Sequence, residues 1–416
     1  MTKADLPEKL AASRQIAAIA TAFFLPFSTS GQAIAISVFA VLALLTLDRR
    51  RFAATMRHPA AWLPVALFVL LAIGTLWSLQ PLGGAVKWLG PYAKLLLIPL
   101  VMATAVSSRE ALQIAYGFLA ACILVLALSW AAFLWPTGPW AWFKSPGVPF
   151  KDNAVQSSCF ALCAFGLAIG AMHAWATERR RAIAMIALAL LFFADIFLIY
   201  PSKTGVIASL ALLGLFALHA GGWRRALIIA AAAIAVMGIA LVASPQAQRR
   251  IAEISSNIEA DSGKQPITGE AISTGARIDF WTKAVEFVKQ APLTGHGTGS
   301  IQPLYQSLEA TRPSPYGSAT ADPHNQTLHI LLQVGLVGAV LLWAMWLTHA
   351  RLFLARDVAS IFGQAIVLQN VIGGLFNSHI SSVTQGMLYC LAVGLFGALV
   401  LHRNDDGSTG RTAYAR

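Results

Sequence analysis

His324 is the side chain in this sequence best suited to acid–base chemistry. It stands in Asp322-Pro323-His324-Asn325, and Gly335-Leu336-Val337-Gly338 follows after nine further residues. Imidazole is the one group whose ordinary titration lies near neutral pH, so it can take a proton from a hydroxyl. The residues before it predict a helix start, with Asp322 as N-cap and Pro323 in the first helical position. His324 and Asn325 then fall in the first turn, at the membrane–water boundary. The steps from 324 to 328, 331, 335 and 338 keep His324 on one helical seam with two glycines that would admit a neighbouring helix. A helix N-terminus attracts anions and disfavours imidazolium, which keeps the ring neutral and available as a base. An interfacial histidine hydrogen-bonded to a loop fits the same spacing.

Cations accompany it. Lys203 lies in Pro201-Ser202-Lys203-Thr204-Gly205, a tight turn between two apolar runs, and Arg277 opens a loop helix on a shared face with Trp281. Lys87 and Lys94 bracket another apolar run, Lys94 slightly inside it, where a charge needs a partner or a water-filled cavity. His379, beside Asn377 and Ser378, could line the same space or serve packing alone. Asp195 is the one acid inside an apolar run, and Arg249, Arg250 and Arg312 read as solvated charges. Neither a zinc motif nor a paired-carboxylate, nucleophile-elbow or P-loop signature is present, so no metal or cofactor is expected. A cationic pocket with a base at the lipid boundary suits a lipid diphosphate, its tail in the bilayer.

These residues need elements to hold them. Of 416 residues, 57% are hydrophobic and 12% charged, about half the charge of a soluble domain. Apolar runs of the length needed to cross a hydrocarbon core of about 30 Å predict helical spans near 14–29, 31–47, 60–78, 90–106, 111–135, 154–176, 182–200, 204–220, 226–243, 324–347, 358–376 and 382–402. The expected fold is therefore all-α and polytopic, with about twelve transmembrane helices. No cleavable signal peptide is evident before the first run.

With the N-terminus in the cytoplasm, twelve arginines fall in short cytoplasmic loops against four lysines (Lys87, Lys144, Lys151 and Lys203) in the short loops opposite. This placement, rather than nucleic-acid binding, accounts for the net charge of +12. Four segments follow: helices 1–9 over 1–243, an outer loop domain over 244–323, helices 10–12 over 324–402, and a cytoplasmic polar tail over 403–416. Within the loop, short helices are expected over Ser244–Ala260 and Ala276–Gln290, the second with Ile278, Trp281, Val285 and Val288 on its apolar face. Pro292 and Gly295-His296-Gly297-Thr298-Gly299-Ser300 then form a turn. Cys122, Cys159, Cys163 and Cys390 all fall in spans and read as small packing residues.

Taken together, His324-Asn325-x9-Gly335-x-x-Gly338, the Ser202-Lys203-x-Gly205 turn and a large loop bearing Arg277-Ile278-x-x-Trp281 and Gly295-x-Gly297-x-Gly299 resemble the O-antigen ligase and polymerase superfamily, over essentially the whole chain. Within it the chain is most similar to the ligases. That resemblance implies a metal-independent, membrane-embedded glycosyltransferase of the C type at the periplasmic face of the bacterial inner membrane. Its donor would be an undecaprenyl-diphosphate-linked glycan and its acceptor lipid A-core. His324 would be the general base, or a hydrogen-bonding group for the diphosphate. Lys203 and Arg277 would bind the diphosphate, with Asn325, Lys87, Lys94 and His379 as further substrate contacts. Many relatives carry arginine where this chain has Lys203, which neutralises phosphate but lacks the planar fork. O-antigen polymerase and protein O-oligosaccharyltransferase compete within the superfamily. From another class, a transporter or flippase competes, against which the lack of repeats counts.

Overall fold

The computed structural model describes residues 5–104, 106–140, 142–143, 145, 147–199, 202–221, 224, 270–313 and 320–403. Among them regular structure is helical, with one isolated bridge between Ser145 and Val148. The span expected over 226–243 and the short helix over Ser244–Ala260 lie outside the described residues.

The helices are α1 (Asp5–Phe24), α2 (Thr29–Leu45), α3 (Arg49–Met56), α4 (Pro59–Gly74), α5 (Leu82–Leu89), α6 (Leu97–Met102), α7 (Ser108–Leu134), α8 (Asn153–Ala174) and α9 (Arg179–Ala194). After them come α10 (Lys203–Gly221), α11 (Glu270–Gln290), α12 (Ile301–Thr311), α13 (Gln326–Leu352), α14 (Val358–Gly374) and α15 (Val383–Leu401). Eight helical stretches among the described residues are long and apolar enough to span, or nine if α2 and α3, bent by 108°, count as one. The protein is an all-helical, multi-pass membrane protein. Differences from the expected twelve have local causes. Pro26 ends α1 at Phe24 rather than 29, and α1 carries Asp5, Glu8, Lys9 and Arg14. Helix α14 has only 17 residues. The span expected at 90–106 runs instead over Leu82–Met102, as α5, a 3-10 stretch from Gly90 to Leu96, and α6.

Capping residues start several spans. Ser107 and Glu110 form a reciprocal capping box on α7. The Asp152 carboxylate accepts from Val155 N at 2.9 Å at the start of α8, and Asp357 accepts from Ser360 N at 3.1 Å on α14. Helices α8 and α15 are the most enclosed, and α4 packs along α13 at the centre. The four cysteines are buried and free in α7, α8 and α15.

Helix α13 is broken. Val334 (φ −132°, ψ 20°) and Gly335 (φ 62°, ψ −159°) leave the helical region, so backbone groups beside the break need partners outside the helix in a setting where lipid offers none. The glycine-rich segment after α11 supplies them. His296 N donates to Leu332 O at 2.9 Å, Gly297 N to Gln333 O at 2.8 Å, and Leu336 N to Pro292 O at 2.9 Å. The far side of the same segment closes the end of α4: Thr298 N donates to Gly74 O at 2.9 Å and Thr298 Oγ1 to Leu71 O at 2.6 Å. Two glycines are required sterically. A Cβ at Gly335 would meet the Leu293 carbonyl, and one at Gly297 (φ 92°) would lie 2.5 Å from Ser78 N. The expected turn is thus a strap wedged between two membrane helices. Gly335 serves this break and not a straight seam.

Helices α11 and α12 form a small layer over this end of the bundle. Phe287, Ala284, Ile301, Leu304 and Tyr305 pack with Leu332 of α13. The buried Lys283 Nζ pairs with Asp279 at 2.8 Å and Glu309 at 3.4 Å, and Tyr305 donates to Phe280 O at 2.6 Å. The expected apolar face is corrected in part: Ile278 and Val285 are 60% and 45% exposed, whereas Val288 packs with partly buried Phe280 beside the buried Ala284 and Phe287. Helix α12 was not anticipated, because Gln302 and Pro303 mask its start.

Candidate active site

The site lies where the segment before α13, the turn after α14, the start of α10 and the underside of α11 meet. Asp322 is not the N-cap. Asn325 caps α13, its Oδ1 accepting from Leu328 N at 3.0 Å, and its Nδ2 donates to Leu375 O at 3.0 Å. Both ends of that amide are engaged. His324 therefore lies one residue ahead of the N-cap rather than in the first turn, in the left-handed region at φ 53°. Such a conformation is uncommon for a side-chain-bearing residue and persists where its surroundings enforce it.

Those surroundings are explicit. His324 N donates to Asp322 Oδ1 at 2.8 Å, the Phe280 ring stacks on the imidazole at 6.3 Å between centroids, and His324 Nδ1 lies 3.2 Å from Asn377 Oδ1. Trp281 Nε1 donates to Pro323 O at 2.8 Å, fastening α11 over the segment. Asn377 Nδ2 in turn reaches Thr204 Oγ1 at 3.5 Å.

Asp322 organises the cluster. Its Oδ1 also accepts from Ser378 Oγ at 2.6 Å and from His329 Nδ1 at 3.4 Å. Burial alone would raise this carboxyl. The hydrogen bonds from His329 and Ser378, with the charges of His329 and His324, outweigh burial and hold it below the usual carboxylate range. Asp322 is therefore an anion at neutral pH, beside the imidazole.

The expected cations differ in their relation to this cluster. Lys203 is exposed in the first turn of α10, where Ser202 Oγ accepts from Gly205 N at 2.9 Å; the next residue, Thr204, is the one tied to Asn377. Arg277 is half-buried on α11, one turn before Phe280 and Trp281. Lys94 donates to the carbonyls of Ser381 and Ser382 and anchors the turn that carries Asn377. Lys87 is exposed at the end of α5 and makes no contact with His324 among the described residues. His379 is buried and faces inward, toward Gln369, Asn370, Gln385 and Tyr389. Burial lowers its imidazole to about 4, so it brings no charge to a phosphate. Asp195 has a different partner: it accepts from Gln156 Nε2 at 3.2 Å within the π-helical turn that ends the span of α9.

Sequence reasoning passed over Asp322 as more than a cap, and His329, Phe280 and Thr204 altogether. The signal within reach was Asn377-Ser378-His379, three polar residues closing an apolar run.

An all-helical membrane bundle with a half-buried histidine, an adjoining carboxylate and cations on neighbouring elements describes a class: multi-pass membrane proteins with a polar, charged site at one end of the bundle. Residues 186–343, from within α9 through the roof helices to the broken α13, match the family model described as O-antigen ligase. The matched stretch is about two fifths of the chain and carries the start of α10, α11 and the segment of His324; over it the chain is similar to the O-antigen ligase family. No curated protein matches the chain.

Proposed function

We propose that the protein is an O-antigen ligase that transfers a glycan from undecaprenyl diphosphate to a sugar hydroxyl of lipid A-core, at the periplasmic face of the bacterial inner membrane. The observation that carries this reading is the convergence on His324: its ring is held by Phe280 and Asn377, beside the elements that bear Lys203 and Arg277. The acceptor oxygen attacks the anomeric carbon while its proton passes to the His324 imidazole. The bond from the anomeric carbon to the diphosphate oxygen breaks, and undecaprenyl diphosphate leaves. Lys203 and Arg277 stabilise the charge growing on the leaving group, so no metal is called for. Attack opposite the leaving group inverts the anomeric centre.

The test uses purified full-length protein with lipid-linked glycan and either lipid A-core or a second glycan-lipid, the products resolved by mass. Transfer to lipid A-core is expected; growth of the glycan-lipid instead would make the protein a polymerase. His324→Gln keeps the size of the ring's hydrogen-bonding arm and lacks its basicity, so it should lose about 10²–10⁴-fold in rate. Substantial transfer by that variant would refute the base role.

A further inference from the structure

We propose that Asn377 is a positioning residue that fixes the tautomer of His324 and leaves Nε2 as the nitrogen that receives the acceptor's proton. This rests on the base role given to His324 above. An amide has one end that only accepts and one that only donates. Asn377 Nδ2 donates to the Thr204 hydroxyl at 3.5 Å, and Oδ1 faces the imidazole at 3.2 Å. Opposite an acceptor, Nδ1 must carry the hydrogen, and the lone pair then belongs to Nε2.

The remaining freedoms of the ring are already taken. Asp322 Oδ1 holds the backbone N–H, the left-handed φ of 53° aims the Cβ, and Phe280 fixes the ring plane with 23° between the two planes. What these contacts leave undetermined is a half-turn of the imidazole and the choice of protonated nitrogen. Asn377 determines both. The same amide also sets the start of α10, and with it Lys203, in register with the base. Base and leaving-group cation are thereby aligned through one side chain contributed by a third element.

The charged and titratable groups on the elements packed around His324 are Asp322 and His329 on its own segment, Arg277, Asp279 and Lys283 on α11, Lys203 on α10 and His379 on the turn. Nδ1 itself faces the neutral amide of Asn377 at 3.2 Å. Replacing that amide with a carboxylate keeps an acceptor at the same position and adds a charge that favours imidazolium.

The experiment measures kcat, donor KM and the pH profile of transfer by the full-length enzyme, comparing wild type with Asn377→Leu, Asn377→Asp and His324→Gln. Asn377→Leu should lower kcat by about 10–100-fold, the range for removing the hydrogen-bond partner that orients a metal-ligating histidine, carried over here to a base, with donor KM within about twofold. Asn377→Asp should restore most of the rate near pH 8 and move the acid limb of the profile up by about one unit or more. A purely structural asparagine would shift no acid limb. Asn377→Leu within twofold of wild type, or an Asn377→Asp profile with the acid limb unmoved, would overturn the proposal. If Asn377→Leu fails to fold, the near-isosteric Asn377→Asp still decides it. Should His324→Gln be inactive while both Asn377 variants behave as wild type, only the positioning role fails. Should His324→Gln be active, the base role fails first.

Discussion

Replacing Gly335 with alanine strikes the contact between the strap and the broken helix. Gly335 sits at φ 62° and ψ −159°, a region that is essentially glycine-only and costs a side-chain-bearing residue about 1–3 kcal/mol. The added methyl would also overlap the Leu293 carbonyl, so residues 292–297 must move away. Moving them breaks the bonds His296 N to Leu332 O, Gly297 N to Gln333 O and Leu336 N to Pro292 O, each worth about 1 kcal/mol net and more where the freed groups stay buried. The sum is about 4–6 kcal/mol, comparable to the whole stability of many domains. Gly214→Ala is the control, since nothing lies within 4 Å of a Cβ there and α10 is regular. Thermal unfolding in detergent, followed by monodispersity, should show a large loss for Gly335→Ala and none for Gly214→Ala. Limited proteolysis should cut within 291–300 only in the former. A Gly335→Ala protein that melts with wild type and resists cleavage would refute the account of the strap.

Three other outcomes are expected. Lys203→Ala and Arg277→Ala should each lose most transfer activity in folded protein, while Lys203→Arg keeps much of it; near-normal activity of Lys203→Ala would make that lysine a solvated charge. Because Asp322 titrates lower in the folded protein than when unfolded, its contribution to stability is complete above the ordinary carboxylate value of about 4 and is lost as pH falls through its lowered one. The stability gap between wild type and Asp322→Asn, measured by thermal melts, should therefore be full at pH 7 and narrow steadily below about pH 4. Single cysteines at 280–310, introduced into a chain otherwise free of cysteine, should react with an impermeant reagent from the periplasm, and cysteines near Arg50 and Arg180 should not; the reverse pattern would invert the topology.

The spans were legible because lipid leaves a bare backbone no alternative to the helix, so an apolar run of sufficient length carries its own structure. Their ends were less so: Pro26 shortened α1, and Gly90-Pro91 tightened the middle of the Leu82–Met102 span into 3-10 geometry. The sequence pattern pointed to His324 but misjudged its backbone, because Asp-Pro ahead of His-Asn reads as a cap, whereas Asn325 takes that place and Asp322 turns to Ser378 and His329. The glycines of the loop read as a turn for a related reason. Local spacing reports which residues permit positive φ, and says nothing of the helix 40 residues later that they must satisfy. The buried face of α11 was misread because Lys283, a charged residue in sequence, is paired and interior.

The strap also bears on biogenesis. Residues 291–300 leave the ribosome before α13 does, yet their hydrogen-bond partners at Leu332, Gln333 and Leu336 lie inside that helix. The outer layer consequently has no finished shape until α13 has been inserted, and an excised 270–313 fragment should remain protease-sensitive and lack a cooperative melt. Swapping the loop between relatives would carry its partner helix with it: a chimaera that exchanges 270–313 without 326–352 should accumulate poorly, whereas one that exchanges 270–352 as a block should recover.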